Sequence, residues 1–176
     1  GNAPFIVFDD ADLDNAINIG AAIKFGNCGQ ICVAANRFFV HEKVYDKFLN
    51  GLIEKAKNLK IGYSEDLDFE IGPLISKKSR DRITDLIKNT IDSGGNLEYG
   101  GGIPEMNGNW FEPTVISGIN ESMSIFHEEI FGPVASIIKF KYDEEVLKQA
   151  NKTQYGLASY LLSLIHISEP TRHRLI

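Results

Sequence analysis

Apolar residues in this chain follow two kinds of spacing, which alternate along its length. Short apolar or β-branched runs bounded by turn residues predict strands at residues 5–8, 37–41, 96–99, 114–117, 133–140 and 157–161. Apolar stripes at helical spacing predict helices at residues 13–24, 44–56, 77–93 and 143–151. This alternation predicts a three-layer, Rossmann-like α/β fold with a largely parallel sheet covered by helices on both faces.

Two of the predicted helices carry more specific signals. Asp12 precedes the first helix and can cap its free N–H groups. The third helix is expected to turn four apolar side chains toward the core, namely Ile83, Leu86, Ile87 and Ile91. The glycine pair that follows residue 93 ends this helix.

Composition and charge narrow the class of protein. The chain has 176 residues, of which 43% are hydrophobic and 24% charged, as in a globular domain with a core. Its net charge of −6 comes with dispersed basic residues, which argues against a nucleic-acid partner. There is no apolar stretch long enough to cross a membrane and no signal-peptide pattern, so we expect no membrane partner and a cytoplasmic location.

The two cysteines, Cys28 and Cys32, are the only ones in the chain. They are too few to stabilise a secreted fold by disulfide bonds. His41 and His127 stand apart from them in the sequence, so no ligand set with zinc spacing is present and we predict no metal site. Thiols this close in sequence allow a redox pair, although a pair within one turn need not meet disulfide geometry.

Both ends of the chain suggest that it is a piece of a longer protein. It begins at a glycine turn that leads directly into an apolar run, so we expect residues to precede Gly1. Residues 162–172 read LSLIHISEPTR, which resembles the translation of a transposase sequencing adapter. We therefore expect the native domain to comprise residues 1–161 and residues 162–176 to be an artefact, the alternative being a natural tail.

The stretch from Phe25 to Arg37 contains the residues best suited to chemistry. Cys32 lies between a predicted helix and a predicted strand, where two glycines allow close approach of a ligand, which is a plausible place for a nucleophile. A free cysteine is more often inert and buried, and the apolar spacing does not decide between these two interpretations.

The same stretch, with F-x-N-x-G-Q-x-C followed by A-x-x-R, resembles the active-site signature of the aldehyde dehydrogenase superfamily. The resemblance implies that Cys32 is the catalytic nucleophile, whereas Cys28 occupies a position where the family accepts several small residues. A second segment, Glu128–Val134 with the pattern E-E-x-F-G-P-V, resembles the family's cofactor loop. It implies that Glu129 binds the nicotinamide ribose and that Phe131 packs near the nicotinamide ring; taken alone, this segment would be interpreted as a solvated acidic turn.

The opening residues GNAPFIVFDDADLD resemble the segment that follows the family's E-L-G-G turn, with Gly1 as its second glycine. The family's general base would then lie three residues before Gly1. Smaller agreements occur at residues 72–75, 111–114 and 155–158, so the resemblance covers essentially all of residues 1–161. The fold implied is a truncated aldehyde dehydrogenase catalytic domain, which we expect to be inactive alone.

The resemblance implies an oxidoreductase that uses NAD or NADP to oxidise a small aldehyde through a cysteine thiohemiacetal and thioester. The sequence is most similar to succinate-semialdehyde dehydrogenases, but Gly26 stands where that group commonly has an arginine able to bind a carboxylate. Other small aldehydes therefore remain open. The alternatives are an acylating or other thioester-forming reductase and a non-catalytic relative. The family also implies that the parent protein is a homodimer or homotetramer.

Overall fold

The computed structural model describes residues 1–63 and 69–165. Its strands are β1 (Ala3–Val7), β2 (Ala35–His41), β3 (Asn96–Tyr99), β4 (Thr114–Ser117), β5 (Val134–Phe140) and β6 (Tyr160–Leu162). Its helices are α1 (Leu13–Phe25), α2 (Tyr45–Asn58), α3 (Lys77–Asp92), α4 (Ser124–His127) and α5 (Asp143–Asn151), with a 3₁₀ turn at Gly26–Gly29. No helix among the described residues is long and apolar enough to span a membrane.

The strands form one sheet in the order β3-β4-β5-β2-β1-β6. All neighbouring pairs are parallel except β3 and β4, which pair antiparallel at the edge. In the centre, Phe38 of β2 lies opposite Phe5 of β1 and Ile137 of β5. The predicted α/β fold class with a largely parallel sheet is therefore confirmed.

Helices cover both faces of the sheet, and β2 shows this most clearly because every one of its residues is buried. On one face, Phe38 packs against Phe48 of α2, with ring centroids 6.1 Å apart. On the other face, Phe39 packs against Phe126 of α4, with ring centroids 6.0 Å apart. Since successive side chains of a strand point to opposite faces, these contacts establish three layers.

Local sequence signals account for most helix limits. Asp12 caps α1 as predicted, because its Oδ1 accepts a hydrogen bond from Asn15 N at 3.1 Å. In α3 the prediction for Ile91 was wrong, since its side chain is exposed. Thr90 is buried there instead, with its hydroxyl donating to the carbonyl of Leu86 at 2.7 Å. That bond satisfies the hydroxyl within its own helix and so permits its burial.

The end of the described chain differs from the prediction of a strand at residues 157–161. Only Tyr160–Leu162 pair, with Phe5–Val7 of β1, so residues 157–159 are not strand. Asp10 then fixes the following turn, because its Oδ2 accepts hydrogen bonds from Ser163, Leu164 and Ile165. The proposed artefact at residues 162–176 lies mostly outside the described residues, from 166 onward, and stays a prediction.

Candidate active site

The segments expected to carry chemistry meet at the amino ends of three adjacent parallel strands. Cys32 precedes β2, Glu129 and Phe131 precede β5, and Gly1 precedes β1. In the sheet β2 lies between β5 and β1, so the cysteine segment is flanked by the other two. Residues more than a hundred positions apart in the chain are brought to one edge of the sheet by strand order alone.

The turn before Cys32 is built from an unusual backbone. Asn27 and Cys28 have φ of 49° and 57°, values that residues other than glycine rarely adopt. Gly29 follows with φ of 67°. The Asn27 side chain supports this turn by donating to the carbonyl of Gln30 at 3.1 Å. Cys32 follows on the surface as an exposed residue with a free thiol. The turn therefore presents the cysteine outward rather than packing it into the core.

Gly29 joins this turn to the Glu128–Val134 segment. A Cβ added to Gly29 would overlap the carbonyl group of Gly132 and approach the carbonyl oxygen of Lys24 to 3.1 Å. Only a residue without a side chain allows the two backbones to come so close. The two sequence motifs thus pack directly against each other, and the glycine of the first motif is required for the contact.

Glu129 and Cys32 also share a neighbour. The backbone nitrogen of Gly1 lies against the Glu129 carboxylate, and a Cβ added to Gly1 would overlap the carbonyl oxygen of Cys32. Phe131 lies beyond them with φ of 51° and a ring that is 38% exposed. The structure therefore places a thiol, a carboxylate and an open aromatic ring on one surface.

Comparison with known proteins identifies the family of this chain. Residues 1–166 match the model of the family described as "Aldehyde dehydrogenase family". The chain belongs to the aldehyde dehydrogenase family.

Individual relatives show how much of an aldehyde dehydrogenase is present. The chain is 42% identical to succinate-semialdehyde dehydrogenase [NADP(+)] 2 of Schizosaccharomyces pombe, covering 96% of this chain and 36% of that protein. It is 46% identical to cytosolic aldehyde dehydrogenase 1 of Rattus norvegicus, covering 90% of this chain and 32% of that protein. The crystal structure of succinate-semialdehyde dehydrogenase from Burkholderia pseudomallei superposes with a TM-score of 0.91 at 44% identity, covering 93% and 34%. The chain thus spans about a third of the length of these relatives.

The second cysteine of this aldehyde dehydrogenase chain differs sharply from Cys32. Cys28 is 1% exposed, and burial raises the pKa of its thiol to about 12, against a smaller opposing effect of Lys24. Both cysteines are free thiols in the structure. Because the thiolate is the reactive form, Cys28 is poorly suited to attack an oxidised Cys32. The redox pair stays a prediction.

Lys24 was expected only to mark the end of α1, yet its side chain is fully buried. Its ammonium nitrogen has no hydrogen-bond partner among the described residues. Burial lowers the pKa of this amine to about 7, partly opposed by the negative charges that Cys28 and Glu129 can carry. A buried amine without a hydrogen bond lowers the free energy of unfolding. The apolar spacing of the sequence did not predict that Lys24 would be buried.

A buried polar network beneath the site was also missed from the sequence. Asn36 of β2 donates to Asn2 Oδ1 at 2.7 Å and to the carbonyl of Glu128 at 2.8 Å. Arg37 donates to the carbonyls of Asn2 and Ala150 at 3.0 and 2.9 Å. The only sequence signal was the A-x-x-R pattern that contains Arg37. These bonds tie together the starts of all three strands at the site.

Gln30 supports the cysteine turn from its outer side through two hydrogen bonds. Its side chain donates to the carbonyl of Pro73 at 3.3 Å and accepts from the N–H of Ile75 at 2.9 Å. The segment at residues 72–75 was noted in the sequence as a minor agreement with the family. In the structure it braces the cysteine turn.

The residues present are chemically suited to a nicotinamide cofactor. A partly exposed carboxylate can accept hydrogen bonds from sugar hydroxyls, and an exposed aromatic ring can pack on an apolar ring face. Glu129 and Phe131 offer these two features side by side. Residues 1–63 and 69–165 contain no cluster of three or more histidine, cysteine or acidic side chains that could hold a metal.

Proposed function

We propose that this chain is part of the catalytic domain of a longer NAD(P)-dependent aldehyde dehydrogenase, which oxidises an aldehyde to a carboxylic acid. One observation carries the proposal. The exposed Cys32 follows a left-handed turn whose Gly29 packs directly on the loop that holds Glu129 and Phe131. A nucleophile and a candidate cofactor loop are thereby presented together.

Cys32 would act as the nucleophile. Its thiolate adds to the aldehyde carbonyl and forms a tetrahedral thiohemiacetal, which later becomes a thioester that water hydrolyses to the acid. The backbone N–H of Cys32 is the available candidate to donate to the oxyanion of that adduct.

Glu129 and Phe131 would bind the cofactor. The carboxylate of Glu129 accepts hydrogen bonds from ribose hydroxyls, and the Phe131 ring packs beside the nicotinamide and excludes water from that face. The chemistry that NAD or NADP supplies when bound is acceptance of the hydride from the adduct carbon. Both cofactors stay within the proposal, because one relative is named for NADP(+) and a similar aldehyde dehydrogenase from Bacillus cereus is described as an NAD+ complex.

The substrate we propose is succinate semialdehyde or a similar small aldehyde. Identity alone does not choose among aldehydes, since the chain is about equally similar to a succinate-semialdehyde dehydrogenase and to a general cytosolic aldehyde dehydrogenase. Gly26 leaves room near the cysteine, because a Cβ there would meet only Ile31 Cδ1, at 3.9 Å. This position contributes no cation for a carboxylate substrate.

The remaining parts of the proposal come from the sequence and the family. We propose that residues 1–161 are native sequence from part of the catalytic domain and that residues 162–176 are an artefact. We also propose that the parent protein is a cytoplasmic homodimer or homotetramer and that it binds neither nucleic acid nor membrane. An acylating or other thioester-forming reductase is the second candidate, because Cys32 would form the same thioester.

Turnover by the full-length protein tests the proposal. The wild-type protein should reduce NAD or NADP in the presence of a panel of small aldehydes, and Cys32→Ser should abolish this activity while Cys28→Ser, the matched control, retains it. Residues 1–161 alone should show no turnover. An active Cys32→Ser variant would overturn the nucleophile assignment, and turnover that requires coenzyme A or phosphate would favour the second candidate.

A further inference from the structure

The loop that carries Glu129 and Phe131 has no secondary structure of its own. It runs from the end of α4 at His127 to the start of β5 at Val134. Backbone groups in such a loop are not held by a helix or strand ladder and need other partners. The direction in which Glu129 points therefore depends on the side chains that bind its neighbours.

Asn36 binds this loop from the inner side, on both flanks of Glu129. Its Nδ2 donates to the carbonyl of Glu128 at 2.8 Å, and its Oδ1 accepts from the N–H of Ile130 at 3.3 Å. The second hydrogen of the same amide goes to Asn2 Oδ1 at 2.7 Å. The side chain is 3% exposed, so no water competes for these bonds. Every polar group of Asn36 is therefore committed to fixing the loop and its support.

Arg82 of α3 binds the same loop from the outer side. Its guanidinium donates to the carbonyl of Glu129 at 3.4 Å and to the carbonyl of Ile130, and it lies 3.8 Å from the Glu128 carboxylate. The next residue of α3, Ile83, packs where a Cβ on Gly132 would sit. A rigid helix thus backs the loop opposite Asn36.

We propose that Asn36 and Arg82 are positioning residues that clamp the Glu128–Ile130 backbone from two sides and thereby set the affinity for NAD(P). The role rests on the proposed function of Glu129. Asn36 lies on β2, four residues after Cys32, so the clamp also fixes the cofactor loop relative to the strand that follows the nucleophile. Neither side chain needs to touch the substrate or the cofactor.

Cofactor binding to the full-length protein tests this role. Asn36→Asp keeps the acceptor for Ile130 but sets carboxylate oxygens against two acceptor oxygens, those of Glu128 and Asn2. Arg82→Met removes the donors and keeps an apolar stem. Each change should raise the dissociation constant of the cofactor about tenfold, which corresponds to about 1.4 kcal/mol. Arg82→Lys, which keeps the charge but places its donors on one nitrogen instead of a planar fork, should be intermediate. Lys78→Met, which removes an exposed charge from the same helix, should have no effect.

Two further measurements separate positioning from general damage. At saturating cofactor, kcat should stay within about twofold of wild type, because the chemical step at Cys32 is untouched. The rate at which iodoacetamide alkylates Cys32 without cofactor should also be unchanged. In the 176-residue chain, Asn36→Asp should speed amide hydrogen exchange at Ile130, because repulsion between the new carboxylate oxygen and the facing oxygens of Glu128 and Asn2 loosens the loop backbone.

The outcomes are distinguishable. If the wild-type protein binds neither NAD nor NADP, the proposed function fails and this role fails with it. If the wild-type protein binds cofactor and the Arg82 variants bind it equally well, only the clamp is overturned. A loss of kcat with unchanged cofactor affinity would also overturn it. Should Asn36→Asp not fold, the partly exposed Arg82 still decides the question through its Met and Lys variants.

Discussion

Replacing Lys24 by methionine should stabilise the protein, and by an amount that depends on pH. In the unfolded chain the amine has its ordinary pKa of 10.5, whereas burial lowers the pKa to about 7 in the folded chain. Between these two values the unfolded state binds more protons than the folded state, so the free energy of unfolding of the wild-type chain rises with pH over this window. Below pH 7 both states are protonated and the full cost of burying the ammonium is present.

The size of the effect follows from the two pKa values. Their difference, at about 1.4 kcal/mol per pKa unit, corresponds to about 5 kcal/mol. This is an upper figure, because local relaxation and water entry reduce the penalty for a buried ion. Methionine has a similar unbranched shape and removes the amine altogether. We expect Lys24→Met to be about 2–5 kcal/mol more stable than wild type at pH 6.5 and the advantage to shrink by about 2–3 kcal/mol at pH 9.

Urea unfolding of the 176-residue chain, followed by circular dichroism at pH 6.5 and pH 9, measures this. Lys88→Met is the matched control, since Lys88 is exposed on α3 and should show no pH-dependent difference. An advantage for Lys24→Met that is the same at both pH values would refute the lowered pKa. A variant less stable than wild type at pH 6.5 would show instead that the ammonium is held as an ion pair, with Glu129 as its candidate partner.

Three other predictions follow from the geometry of the site. A thiol reagent at pH 8 should modify Cys32 in the folded chain and Cys28 only after urea is added, because burial raises the pKa of Cys28 to about 12; rapid reaction of both thiols would contradict this. Gly29→Ala should lower the free energy of unfolding by about 1–3 kcal/mol, since φ at this position is 67° and the new Cβ would overlap the carbonyl of Gly132. Gly156→Ala is the control, because a Cβ there has open space, and its free energy of unfolding should stay within about 0.5 kcal/mol of wild type. Equal unfolding midpoints for the two alanine variants would disprove the close contact. In the full-length protein, Gly26→Arg should raise the ratio of kcat/KM for succinate semialdehyde to kcat/KM for an uncharged aldehyde of equal length by about tenfold. The cause would be a charged hydrogen bond to the substrate carboxylate, worth about 1.5–3 kcal/mol. An unchanged ratio would show that this position does not face the substrate.

Local patterns were enough to predict most elements of the fold. The strands at 96–99 and 114–117 and the helix at 143–151 occur at the predicted residues, because their limits depend on short-range apolar spacing and turn residues. The four-residue helix α4 was not predicted, since one turn is too short to show a helical period. Patterns of this kind also fail where a polar side chain is buried by bonding within its own helix, as Thr90 is.

The site was only partly predictable. Resemblance to the family selected Cys32, Glu129 and Phe131, but nothing local indicated how the two motifs come together. Asn36 binds Glu128, which lies 92 positions further along the chain, and only the sheet order brings the two together. Lys24 was missed for a different reason. A lysine near the end of a helix normally extends into solvent, and its burial depends on packing by the turn that follows.

The position of the site at the starts of three neighbouring strands sets its dimensions. Adjacent strands of any sheet lie about 4.8 Å apart, so the lateral distance between the Cys32 segment and its two flanking segments is fixed by backbone pairing. In a protein with the same strand order, replacing side chains at this edge would therefore change the shape and charge of the surface, while the spacing between the three segments would stay the same.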